Sequence, residues 1–131
     1  MRNVAEIDSA QVSKSALKTF FNIASAWELS VEEGMKLLGL DSRSIYLSWK
    51  KRPELVRLDS GKLERLSYIF GIYKALQVLL PNPESADEWI KRPNSAAPFQ
   101  GMSALDRMLS GDVADLYVVR EYLDGQLKPR S

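Results

Sequence analysis

The chain has 131 residues, 45% apolar and 27% charged, enough for one compact domain or two very small ones. It contains no histidine and no cysteine, which removes disulfides, thiol nucleophiles, imidazole bases and almost every zinc or haem site, so catalysis would have to rest on carboxylates or lysines. With no Gly-rich phosphate loop, serine nucleophile elbow or metal-ligand cluster beside them, neither an enzyme nor a bound cofactor or metal is expected. No apolar run approaches the ~20 residues of a membrane span, and Met1-Arg2-Asn3-Val4 leads into a polar, acidic stretch instead of a secretory leader; a cytoplasmic protein is expected. The net charge of +1 hides an asymmetry, since residues 1 to 80 carry 12 Lys+Arg against 9 Asp+Glu and residues 81 to 131 carry 6 against 8.

Taken in chain order, Val12, Ala16, Phe20, Ile23 and Trp27 recur at three- and four-residue spacing, which predicts a helix from Ala10 to about Trp27 with these positions inward. Ser30 and Glu33 form a capping-box pattern before a short second helix that Gly39 ends. Asp41 or Ser42 caps a third, running to Lys51 with Ile45 and Trp49 inward and stopping before Pro53. Asp59 or Ser60 opens the longest helix, through Leu63, Leu66, Phe70, Tyr73, Leu76 and Leu80 to Pro81; its wide apolar surface suits a connecting and dimer-forming element. Beyond Pro81 come a short helix at Glu84 to Lys91, a loop from Arg92 to Gly101, a helix opened by Ser103 and Asp106, and a last one from Asp112 carrying Leu116, Val119, Tyr122 and Leu123. The tail from Gln126 has no periodicity. The expected fold is all-α: a helix-turn-helix region over residues 1–80, joined through its long helix to a small helical domain over 81–131.

Two short helices joined by Gly39 and Leu40 form the arrangement that presents a second helix to the major groove of DNA. On this reading Ser42, Arg43 and Ser44 stand at the start of the recognition helix, with Leu47 and Ser48 one turn on. Arg43 suits bidentate contact with guanine. Lys50, Lys51 and Arg52 lie at the far end, where cations meet phosphate. In the second half Trp89, Phe99 and Tyr122 are expected to pack inside, leaving Asn94, Pro98, Gln100 and Arg107 as candidates for a partner surface. Carboxylate pairs such as Asp87 with Glu88 read as solvated faces near helix N-termini.

Leu37-Leu38-Gly39-Leu40, the Ser42 to Trp49 helix, Leu63-Glu64-Arg65-Leu66, Trp89, Pro93-Asn94, Phe99, Gly101, Ser103, Leu105, Val119-Arg120 and Tyr122-Leu123 together give a distinctive order of motifs. It resembles the Xre/MbcA/ParS antitoxin family, and the resemblance covers nearly the whole chain after about residue 15. It implies a type II antitoxin whose partner is a RES-domain toxin that consumes NAD. The C-terminal domain would cover the toxin's active site, and the protein, a homodimer within a larger complex, would repress its own operon by binding operator DNA. Carried onto this chain, the toxin-facing region is the loop from Asn94 to Gly101 and the last helix with its tail, where Lys128 and Arg130 reach toward a dinucleotide phosphate pocket. One departure is Ser48, where many relatives carry a basic residue; Lys50 and Lys51 can offset it. Two other readings fit the residues: a stand-alone helix-turn-helix regulator whose C-terminal half only dimerises, and an inhibitor whose helix-turn-helix is vestigial.

Overall fold

The computed structural model describes residues 4–128, with side chains from residue 9 onward, and among them seven α-helices and no strand. They are α1 (Val4–Ala26), α2 (Val31–Leu38), α3 (Arg43–Lys51), α4 (Ser60–Leu79), α5 (Pro83–Trp89), α6 (Ala104–Met108) and α7 (Val113–Leu127), with a single 3-10 turn at Pro53–Leu55. The chain divides into two compact units, Met1–Leu66 and Ser67–Ser131. The division falls inside α4 and not at Pro81, because a proline ends a helix without ending the packing that the helix takes part in. The second half of α4 is bonded to the last helix, Arg120 of α7 donating to the Ser67 carbonyl oxygen at 3.2 Å.

In the first unit α1 buries Leu17, Phe20, Ile23 and Ala24, and Trp27 just beyond it is buried as well. Val12, expected inward, is 52% exposed, and Ser13 turns in instead. The Ser13 hydroxyl accepts the Leu58 N–H at 3.0 Å, so a buried polar group and a loop amide satisfy each other where an apolar residue would have left the amide unpaired.

The turn between α2 and α3 is built from three local devices. Ser30 and Glu33 close a reciprocal capping box at 3.1 and 2.8 Å. Gly39 adopts φ 71°, the left-handed conformation that stops α2, and the Leu40 N–H returns to the Met35 carbonyl oxygen at 2.8 Å. Ser42 caps α3, accepting the Ile45 N–H at 3.2 Å. From α4, Lys62 donates to the Gly39 carbonyl oxygen at 3.3 Å and Arg65 to that of Leu37 at 3.5 Å, placing two cations on the negative end of α2.

The inward face of α3 differs from the Ile45–Trp49 seam expected from spacing. Ile45 is 45% exposed, Trp49 is half-buried, and Tyr46 is the buried residue. The cause lies on α2: Gly34 leaves the space that the tyrosine occupies, and a Cβ built there would come within 2.1 Å of its hydroxyl. The Tyr46 ring meets Phe21 and Phe20 edge-on at 5.3 and 6.5 Å, an arrangement worth about 0.5–1.5 kcal/mol per pair beyond burial. With 100° between successive residues, turning Tyr46 inward moves Ile45 onto the flank.

In the second unit Asn82 caps α5 by accepting the N–H groups of Glu84 (2.9 Å) and Ser85 (3.3 Å), with Pro83 in the first turn, where its missing N–H costs nothing. The core gathers Ile69, Ile72 and Leu76 of α4, Ala86 of α5, Leu105 and Met108 of α6, Leu116, Val119 and Leu123 of α7, and, from the segment between α5 and α6, Ile90 and Phe99. α7 continues to Leu127, past Gln126 where the sequence suggested an irregular tail.

Candidate functional site

The outer face of α3 is the exposed surface of the first unit's two-helix turn. Arg43, Ser44, Leu47, Ser48, Lys50 and Lys51 are all exposed, as is Arg52 just beyond the helix. By helical geometry Ser44, Leu47, Ser48 and Lys51 share one face, opposite the buried Tyr46. Ser42 differs from this group: it is half-buried, its hydroxyl is used as the cap, and it lies 3.2 Å from the Ser44 hydroxyl. Arg43 is engaged as well, forming an exposed ion pair with Glu32 of α2. Burial pushes the Tyr46 phenol above its ordinary pKa, keeping it neutral inside the turn.

The second unit presents a loop fixed at both ends. An antiparallel bridge joins Pro93 and Ser103, the Asn94 N–H donates to the Met102 carbonyl oxygen at 3.0 Å, and the Gly101 N–H returns to that of Asn94 at 2.8 Å. Inside, the Asn94 side chain accepts the Ala96 N–H at 2.8 Å, an Asx turn that uses its amide oxygen. Gln100 is exposed with φ 50°, unusual for a non-glycine residue, and Met102 beside it is also exposed. Beneath the loop Phe99 meets Trp89 at 6.0 Å and Tyr122 at 5.1 Å, so the aromatic residues brace it from within.

Arg107 is the clamp of this loop. It donates from Nη1 to the Pro98 carbonyl oxygen at 2.6 Å and from Nε to Asp115 of α7 at 2.9 Å, and Ser110 donates to the other Asp115 oxygen. The Ser110 hydrogen bond, together with the smaller influence of Arg107, holds the Asp115 carboxyl below its ordinary pKa. Asn94, Pro98 and Arg107 therefore shape the loop through their internal bonds, while Gln100 stands outward. Lys128 is exposed just after α7; Arg130 lies outside the described residues. Elsewhere in this unit, burial raises the Asp87 carboxyl above its ordinary pKa against a hydrogen bond from Gln77 that lowers it.

Residues 6–71 match the model of the antitoxin Xre-like helix-turn-helix domain, and residues 75–126 that of the antitoxin Xre/MbcA/ParS C-terminal toxin-binding domain. The chain belongs to the Xre/MbcA/ParS antitoxin family. It is 49% identical over 119 residues to the uncharacterized protein y4oB of Sinorhizobium fredii (strain NBRC 101917 / NGR234), a match that spans 91% of this chain and 88% of that protein. The antitoxin thus pairs a helix-turn-helix domain with a toxin-binding domain, in a family that is regulatory and not enzymatic. Among the described residues no helix is long and apolar enough to cross a membrane.

Several groups that shape these surfaces escape the sequence pattern. Glu32, which holds Arg43, sits 11 residues earlier in a first turn where any carboxylate suits the helix dipole. Asp115 reads equally well as an ordinary helix-start residue. Arg120 belongs to a motif of the family resemblance, yet its role here is structural: its guanidinium lies over Gly71, where a Cβ would come within 2.5 Å of Nε, and it reaches back to Ser67. Each of these partnerships spans more sequence than helical periodicity reports.

Proposed function

We propose that this antitoxin neutralises a RES-domain, NAD-consuming toxin by laying its second unit over the toxin's active-site cleft, and that it represses its own operon by binding operator DNA through α3. The reading rests above all on two matched domains in one chain, one DNA-binding by type and one toxin-binding. The order of Trp89, Pro93-Asn94, Phe99, Gly101, Ser103 and Val119-Arg120 supports the RES-type partner.

On the DNA side Arg43 would exchange Glu32 for the O6 and N7 acceptors of guanine, Leu47 would meet thymine methyl groups, and Lys50, Lys51 and Arg52 would contact phosphates. On the toxin side the braced loop presents Gln100, with Lys128 and Arg130 supplying positive charge toward a dinucleotide site, and Asn94, Pro98 and Arg107 hold the loop in shape for it. A cytoplasmic homodimer within the larger complex fits the exposed apolar Val78 and Tyr117 of the second unit.

Co-expression tests this reading. The reading frame adjacent to the antitoxin gene should arrest growth and deplete intracellular NAD when expressed alone, and the full chain should restore both. A harmless neighbour that leaves NAD unchanged would contradict it.

A further inference from the structure

A groove of about 720 Å³ runs along the first unit between α1 and the C-terminal end of α3. Four lysines line it: Lys14 and Lys18, one turn apart on α1, and Lys50 and Lys51 in the last turn of α3. Phe21 and Pro53 add apolar surface, Asn22 and Ser25 polar surface, and its carboxylate is Glu54. Among the described residues none of the four lysines forms an ion pair with a carboxylate, Glu54 included.

Four ammonium groups beside a single carboxylate around one concave surface repel one another, a cost that an anionic ligand removes. An ammonium is a compact point charge on a flexible stem, suited to phosphate without the planar fork that would select a carboxylate or a base edge. The groove is open, and it borders the helix whose outer face carries Arg43, Ser44, Leu47 and Ser48. An elongated polyanion passing that helix would thus meet Lys51 first and then the lysines of α1.

We propose that this groove binds the sugar–phosphate backbone of the operator duplex, with Lys14 and Lys18 of α1 as additional phosphate contacts beside Lys50 and Lys51. This rests on the reading of α3 as a DNA-binding helix and extends it to a helix outside the two-helix turn. Such contacts set affinity and salt dependence and carry no base preference.

The test is a salt titration of full-length antitoxin on a duplex from upstream of its own reading frame, comparing the natural chain with Lys14→Gln/Lys18→Gln. Each lost phosphate contact lowers the slope of log K against log salt by about 0.9. Between 50 and 200 mM salt the natural chain should therefore lose about 12 times more affinity than the double variant, with the order of preference among operator variants unchanged. Glu54→Gln, which removes the groove's carboxylate, should tighten binding about threefold, a gain that misfolding cannot produce. Equal salt slopes for the natural chain and the double variant would overturn the groove assignment while leaving α3 as the DNA-binding helix. No binding by the natural chain at low salt would remove both. Unchanged DNA binding with weakened toxin capture by the double variant would assign the groove to an acidic surface of the toxin instead.

Discussion

The two units use their cations differently. In the first unit Lys14, Lys18, Lys50 and Lys51 line an open groove with no carboxylate partner among the described residues, and Arg43 is held only by an exposed pair to Glu32. In the second unit Arg107 is bonded to Asp115 and the Pro98 carbonyl oxygen and Arg120 to Ser67 and Asp124, while Arg92 forms an exposed pair with Glu88. A cation without an internal partner is available to a polyanion; a cation bonded across a loop fixes a shape. The first unit thus leaves four lysines around an open groove, beside Lys62 and Arg65 that brace the end of α2, whereas the second unit uses Arg107 and Arg120 to fix the shape of its own fold.

The largest expected effect is that of Gly34→Ala, which breaks the first unit at its closest approach. The added Cβ would meet the buried Tyr46 ring, so the ring or the turn must shift, at a cost of about 1–3 kcal/mol. Thermal unfolding should show the loss as a fall of several degrees in Tm, and a mobility shift on operator DNA should disappear. Next comes Arg107→Ala, which releases the loop from α7. The pair is partly solvent-exposed, so about 1 kcal/mol of stability is expected to go, while toxin neutralisation, read as cell growth, should suffer more than melting does. Ser30→Ala removes half of the capping box and should cost about 1 kcal/mol by denaturant titration.

The Asp115 clamp also has a pH signature. Its carboxyl is held below the ordinary value by Ser110 and Arg107, so it contributes stability that is fully present above the ordinary carboxylate range. That contribution is lost as pH falls through the depressed folded value. Asp115→Asn should flatten this acid limb of the stability profile. The smallest effect expected is that of Glu32→Gln, which frees Arg43 and should tighten operator binding about two- to threefold in a titration at low salt.

Much of this arrangement is legible in the sequence because it is local. Ser30 with Glu33, Gly39, Ser42, Asn82 to Pro83 and Ser103 with Asp106 each act over three or four residues, and they bring the helices and the turn out of the pattern. What periodicity misses depends on distant partners. Ile45 and Trp49 form a plausible seam until Gly34, 12 residues before Tyr46, makes room for the tyrosine. Asn94, Pro98 and Arg107 read as outward polar and turn residues, yet the chain folds back so that their polar atoms bond one another's loop and α7. Lys14 and Lys18 do not stand out beside the apolar stripe of α1, since nothing in their own helix says that Lys50 and Lys51 lie across a groove from them.

The central claim is that DNA recognition and toxin neutralisation reside in separate units of one chain, and the most direct measurement assays both functions on Arg43→Ala and Arg107→Ala. Arg43→Ala should lose about tenfold or more of its preference for operator over unrelated DNA, at ~1–3 kcal/mol per bidentate contact, while still restoring NAD to cells expressing the toxin. Arg107→Ala should keep that preference and fail to restore NAD. Loss of both functions by either substitution, or full operator preference in Arg43→Ala, would contradict the division of labour described here.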